Sequence, residues 1–539
     1  MVFPKGVDEE SGVRARLRQA HEAVAAGEPS SKKVVWLACD PETLCPGELS
    51  GFYEDMLAQG APCWRTDCDR PLPLAFQPAL DLLRPALAVA ETEAPELIEE
   101  FAPEMATLFP DLAQQQSWAK ILPVTAIALG GTKRRLAKDS EILYRIVYSF
   151  ASVILGAVSR CASMRRAPLT LVFENADAAD RLTLSCLYHL CQRIGNLPVL
   201  VIISAPEHGV AARPWLWRAA DEGELPEHMR DLTDAYVVHT ALFRKVVAFL
   251  NPMKISGAAC IGRTSDELPE APHEKIGTIL ALLGADPATV AALVPHSADK
   301  IVNRWNRRER AEIRSAIPVR DYRQLHGAIA ATLLERKGSS EIWHAPLAFH
   351  LLEAGSVAKG LEASLNAANH ALAFSMNFEL ILLCAREVLR HTEGVENGQF
   401  NAIRTAAWQL LGLTQTYLED HDRAIAALLQ ALNHAPTPAL QAQTCYYLGL
   451  IRAKRQKDLC GGSEWFETGL QMIEGCEAEE DLLERGWLCN GLGFIAWRAG
   501  RHDDALELVQ RALALTENRN HPQIGNLRVN LINNLSLLL

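Results

Sequence analysis

No apolar run in this sequence is long enough to cross a membrane. The longest charge-free stretch of interest, IVYSFASVILGAVS between Arg145 and Arg160, has fourteen residues, where a spanning helix needs roughly 20. It predicts a buried helix instead. The opening MVFPKGVDEESGVRARLRQ lacks the apolar core of a secretory leader, so none is expected. Positive charge is in short supply, with 53 Lys and Arg against 65 Asp and Glu and a net charge of −12. That balance excludes wrapping nucleic acid by electrostatics alone, and no basic helix pair of a DNA-binding kind is visible. Compact C-x2-C knuckles are missing too. The thirteen cysteines are odd in number and scattered, which fits a reducing cytoplasm better than a disulfide framework. Two groupings come nearest to a metal site: Cys39 and Cys45 with Cys63 and Cys68, and Cys186 and Cys191 around His189. The first has the wrong spacing and the second follows the buried face of a helix, so both read as core. No metal or cofactor is expected.

What the chain does have is a change of texture along its length. Residues 9–27 read as an amphipathic helix, KVVWLAC as a strand, and MLAQGAPCWRTDC as a helix end followed by a second strand. After a helix-rich stretch to about residue 165, PLTLVFENADAADRLTLSCLYHLCQRIGNLPVLVIIS gives strand, acidic turn, helix and strand. This alternation implies a parallel α/β domain over residues 1–240. Strands are expected to stop near residue 240. A helical domain follows over 241–340, and helix pairs fill 341–539.

The turn after the first strand stands where a phosphate loop would, yet it cannot work as one. The four diagnostic positions of G-x-x-x-x-G-K-[ST] hold Cys39, Leu44, Cys45 and Pro46. No cation faces the phosphates, Pro46 removes an N–H donor, and Asp40 and Glu42 would repel phosphate. ALGGTKRR, Ala128 to Arg135, lacks the first glycine and the spacing. In the acidic turn Glu174 could hold a metal, but Asn175 cannot act as a base.

The C-terminal third carries a repeat. Trp408, Leu411, Gly412, Ala424, Leu428, Ala431 and Pro436 fall on the diagnostic positions of the 34-residue tetratricopeptide unit. The next unit has Leu448-Gly449, then Phe466 and Gly469 after a turn one residue longer. A third has Leu492-Gly493, Ala505 and Ala512. HPQIGNLRVNLINNLSLLL reads as the inner helix of another unit, with Leu535-Ser536 in the Leu-Gly places. Its apolar end is expected to be covered by self-association or by a second chain, the alternative being that the sequence is a piece of a longer protein.

The order of these parts resembles the STAND ATPases, which include the large regulators of the LuxR and maltose-activator type. LTLVFENADAAD and LPVLVIISAP stand where the family has its acidic-strand and fourth-strand text. YRQLHGAIAATLLERKGSSEIWHAPLAFHLLEAG is similar to its helical linker. The resemblance implies a P-loop NTPase-like sheet domain, here degenerate, a winged-helix-like linker and a tetratricopeptide superhelix. The family's loop Lys and Ser/Thr, its second acidic residue, the Arg after its fourth strand and a C-terminal helix-turn-helix are all absent. Its ATP switch and DNA output are therefore not carried over. His344 and His350 fall in the linker-like part on an apolar face and read as packing histidines.

The inner helices of the repeats are the candidate binding face. Counting from each Leu-Gly places Gln409, Tyr417, Tyr446, Lys454, Trp487, Asn490, Trp497, Arg498, Asn530 and Asn533 on it. Asn can pair with both backbone groups of an extended peptide, and Trp and Tyr are favoured anchors. Some of these side chains could instead only tie neighbouring helices together. The expected function is a non-catalytic cytoplasmic scaffold binding a protein or peptide partner. The alternatives are a transcriptional regulator whose DNA-binding part is lost or supplied by a partner, and a residual nucleotide-binding switch.

Overall fold

The computed structural model describes residues 12–28, 32–38, 46–69, 77–109, 140–205, 243–256, 316–337, 344–372, 377–395, 398–517 and 523–538, with scattered positions between 279 and 294 and at 519. It divides into two units, the described residues through Ser356 and those from Val357 onward.

The first unit is built on a five-stranded sheet: β1 (Val34–Ala38), β2 (Cys63–Asp67), β3 (Leu169–Glu174), β4 (Val199–Ala205) and β5 (Met253–Ser256). All neighbours are parallel, in the order β2-β3-β4-β1-β5. The runs LTLVFE and VLVIISA are buried at every position, as expected for strands covered on both faces. Helices α1 (Val13–Ala25) and α2 (Pro46–Ala58) bring Leu17, Val24, Phe52 and Met56 into one core with Val35, Leu37, Val172, Ile202 and Ile255. Arg14 and Arg18 of α1 both reach Asp55 of α2 and tie the two helices.

Five more helices of this unit follow: α3 (Gln77–Glu93), α4 (Pro95–Glu100), α5 (Ala102–Leu108), α6 (Ser140–Arg160) and α7 (Arg181–Arg193). The fourteen-residue apolar stretch lies in α6, with Val153, Ile154 and Ala157 fully buried. Asp180 caps α7 by accepting from the Leu182 and Thr183 amides, which satisfies two otherwise orphaned donors.

Strands do not stop at residue 240. Met253–Ser256 pairs with β1 on the side away from β4. Only four residues long, and flanked by Pro252 and Gly257, it shows too little alternation to be read as a strand in isolation. Beyond it, α8 (Pro287–Leu293), α9 (Val319–Lys337) and α10 (His344–Glu353) surround a small separate core of Leu280, Leu283, Val290, Ile329 and Leu333.

The second unit is helical throughout its described residues. It runs α11 (Val357–His370), α12 (Phe378–Thr392), α13 (Asn401–Tyr417), α14 (His421–His434), α15 (Pro438–Leu450), α16 (Leu459–Met472), α17 (Glu479–Arg498), α18 (His502–Ala514) and α19 (Ile524–Leu538). The repeat positions do what small residues allow. Ala424, Ala431, Ala505 and Ala512 are fully buried, as is Phe466. A Cβ on Gly412 would lie 2.6 Å from Leu428, so α13 and α14 meet at glycine.

One repeat differs in an informative way. Helices α13 and α17 end at left-handed residues, Glu419 and Gly500, each seven positions after the repeat glycine. In α15 the equivalent residue is Lys457, eight positions after Gly449. The extra residue is not in a longer turn. It is absorbed within the helix as a π-turn over Ile451–Arg455, where the Gln456 amide donates to the Ile451 carbonyl.

Candidate functional site

Two places in the molecule collect chemistry, one in each unit. The first is the carboxyl edge of the sheet, where ligands of open parallel sheets ordinarily sit. β1 ends at Ala38 beside Ala205 of β4, and β4 separates it from β3. The loop after β1, with Cys39, Asp40, Glu42, Leu44 and Cys45, lies outside the described residues, as does Ala128 to Arg135. On the far side of that loop α2 opens on Pro46, a favoured first helical residue whose nitrogen carries no hydrogen.

At the ends of β2 and β3 the register sets Asp67 opposite Glu174 and Arg65 two residues back on the same face. The Arg65 guanidinium meets both oxygens of the Glu174 carboxylate, with Nη2 donating to Oε2 at 2.8 Å. Burial works against charge on Arg65, but Glu174, together with Asp67 and Tyr53, outweighs it and raises the pKa above its ordinary value. The guanidinium also lies 5.8 Å from the centre of the Tyr53 ring. Next along, Asn175 adopts a left-handed backbone with φ of 49° and donates from Nδ2 to Asp67 Oδ1 at 2.8 Å. The acidic position thus carries a built-in organic cation. An arginine fork of this kind fills a carboxylate bidentately.

Of the cysteine and histidine groupings, the described members Cys63, Cys68 and Cys186 lie in the core, while Cys191 and His189 are half-buried. Cys63 and Cys186 are buried, and burial pushes the Cys63 thiol up to about 12, so at neutral pH it is a protonated thiol. Cys68 is buried as well, while Cys39 and Cys45 lie outside the described residues. His350 is buried, and the partner it takes is His326 of α9, at 2.8 Å between the two Nδ1 atoms. His344 is half-buried at the start of α10.

The second place is the face of the first helix in each repeat pair, α13, α15, α17 and α19. The ten sequence-derived positions fall into three groups. Gln409, Tyr446 and Trp487 are buried. Gln409 Nε2 donates to Thr444 Oγ1 at 2.9 Å, and Tyr446 packs against Phe466 and Trp487 with ring centres 5.8 Å apart in each case. They join neighbouring helices and present no side chain to a partner. The physical reason is that adjacent inner helices touch along the same stripe that a repeat count assigns to the groove.

Three more are partly engaged. Tyr417 stacks on Phe378 of α12 at 5.9 Å, and Asn530 donates back to the Asn526 carbonyl at 2.8 Å. Asn490 accepts at Oδ1 from Asn534 Nδ2 at 2.7 Å, which leaves its NH2 group to donate. The remaining four, Lys454, Trp497, Arg498 and Asn533, are exposed. Lys454 Nζ lies 4.8 Å over the Phe494 ring, and Phe494 is 6.4 Å from Trp497.

Phe494, Arg65 and His326 are the contributors that the sequence pattern did not single out. Phe494 follows directly after Leu492-Gly493, so the repeat count reaches it, but its weight comes from Lys454 one repeat earlier. Arg65 becomes visible only once β2 is paired with β3.

No family profile matches this chain, and no curated protein matches it. Among solved structures, it is similar to a Signal Transduction ATPase with Numerous Domains (STAND) protein with a tetratricopeptide repeat sensor from Pyrococcus horikoshii. That likeness has 11% identity and a TM-score of 0.37, covering 99% of this chain and 82% of that one. A second is the APC/C hetero-tetramer Cut9-Hcn1, at 11% identity and a TM-score of 0.21, covering 93% and 96%. Likenesses at these scores say nothing of substrate or partner. The fold stands on the strand order and the helix pairs above.

Proposed function

We propose that the protein is a non-catalytic scaffold that holds a protein or peptide partner on the inner-helix face of its repeats. The observation that carries this is the exposed group on that face. Trp497 is 41% exposed, with Arg498 and Asn533 exposed near the ends of α17 and α19, and Asn490 of α17 is joined to Asn534 of α19. A large amphipathic ring kept in water, with amide donors nearby, is the composition of a protein-binding surface. The first unit acts as a support. Its acidic strand end is neutralised by Arg65, and Asn175 stands where hydrolysis would need a second carboxylate.

ATP with Mg²⁺ tests this division of labour. A ligand raises the melting temperature only in proportion to its binding, by RT ln(1 + [L]/Kd). The expected outcome is no shift at millimolar ATP–Mg²⁺. A rise of several degrees would put nucleotide binding back in the first unit and overturn the non-catalytic reading.

A further inference from the structure

The one-residue insertion in α15 does more than lengthen a repeat. It opens a π-turn at Ile451–Arg455, a feature that recurs where helices carry function. Four of the six residues from Arg452 to Lys457 are cations: Arg452, Lys454, Arg455 and Lys457. In a chain with net charge −12 such a cluster runs against the mean.

Two of these charges, on Lys454 and Lys457, are not consumed locally. Arg452 donates to the neutral Gln456 side chain at 3.0 Å, and among the described residues Lys454 and Lys457 make no ion pair. Asp458, the nearest carboxylate in sequence, is occupied in capping α16 through the Gly461 amide at 2.9 Å. Lys454 turns instead onto the ring of Phe494, 4.8 Å from Nζ. Burial, with Arg455 next to it, lowers the Lys454 pKa from its ordinary value. The exposed indole of Trp497 also neighbours Phe494, with ring centres 6.4 Å apart, and Arg498 follows it, also exposed and without an ion pair among the described residues.

We infer that this π-turn, with Phe494 and Trp497, selects an acidic, extended peptide segment that places a carboxylate at Lys454 and a large apolar side chain against Trp497. The inference rests on the reading that the inner-helix face binds a partner, and it adds the partner's chemistry. Charge complementarity decides the occupant: the exposed Lys454 ammonium, held over an aromatic ring and making no ion pair among the described residues, is placed to meet a carboxylate. From the Lys454 ammonium to the Trp497 ring is at most about 11 Å through Phe494, roughly three residues of extended chain at ~3.3 Å each. The carboxylate and the apolar side chain of the segment therefore lie within about three positions of one another.

The full chain is screened against an array of short random-sequence peptides. The strongest binder is then measured by fluorescence anisotropy against wild type, Lys454→Gln, Lys454→Arg, Trp497→Ala and Asn490→Ala, with inorganic polyphosphate as competitor. The expected result is enrichment of Asp or Glu within about three positions of an aromatic or large aliphatic residue. Affinity should fall roughly tenfold in Lys454→Gln, recover in Lys454→Arg, and weaken as salt rises. Selected peptides without acidic bias, indifferent to Lys454→Gln but weakened by Asn490→Ala and Trp497→Ala, would overturn the acidic assignment and leave the repeat face as a binding site. Complete displacement by polyphosphate, with Trp497→Ala without effect, would make the cluster a general polyanion site and overturn the peptide assignment. An array on which wild type selects nothing would count against both readings.

Discussion

Asp55 shows how a single residue couples local charge to the stability of the sheet unit. The guanidinium groups of Arg14 and Arg18 hydrogen-bond its carboxylate and hold its pKa down to about 2 from an ordinary 3.8. A carboxyl whose pKa is depressed by folding contributes stability above its unfolded pKa and loses it as pH falls through the folded value. Melting curves of wild type and Asp55→Asn should therefore differ near neutral pH, converge from about pH 4 downward, and coincide only below about pH 2. A gap that persists unchanged into acid would show that Asp55 acts by packing alone. Arg65 gives a larger effect. Arg65→Met removes the guanidinium from the Glu174 carboxylate and breaks a largely buried ion pair, at a cost of about 3 kcal/mol. Adding Glu174→Gln should restore most of that loss, and urea titration of the single and double variants reads the difference. Neither pair was legible in the sequence. Asp55 and its arginines lie on different helices, and Arg65 meets Glu174 only through a parallel pairing between strands more than a hundred positions apart.

Helices and strands, by contrast, were largely legible because their signals are local. The apolar runs of β3 and β4 and the Leu-Gly spacing of α13, α15 and α17 each carry their own period. What failed at this scale were features one or four residues in size. The edge strand β5 is too short to show a period, and the insertion after Gly449 looked like a longer turn until its hydrogen bonds placed it inside the helix. The repeat glycines are also not equal. A Cβ on Gly449 would collide with the buried Phe466 ring, whereas on Gly493 it would meet Val509 at 3.4 Å, an ordinary contact. Gly449→Ala should thus destabilise by ~1–3 kcal/mol through overpacking. Gly493→Ala should be neutral, or stabilise by up to about 1 kcal/mol through helix propensity. Differential scanning calorimetry of the two variants separates them, and equal losses would mean that the repeats pack alike.

For the whole molecule, the sequence placed a sheet unit before a repeat unit, and it named ten inner-helix positions as one face. The structure divides those ten by burial: Gln409, Tyr446 and Trp487 bind helix to helix, while Lys454, Trp497, Arg498 and Asn533 face solvent. A repeat count fixes which stripe of a helix faces its neighbours, but where along that stripe two inner helices touch depends on side-chain size in both. The central claim is that a partner is held by the repeat face and not by the sheet unit. Affinity capture from the native host, run in parallel with wild type, Trp497→Ala and Arg65→Met and quantified by mass spectrometry, tests it most directly. The account predicts proteins that wild type and Arg65→Met retain alike and that Trp497→Ala loses by roughly tenfold or more. Proteins lost from Arg65→Met at temperatures where it remains folded, and retained by Trp497→Ala, would contradict it.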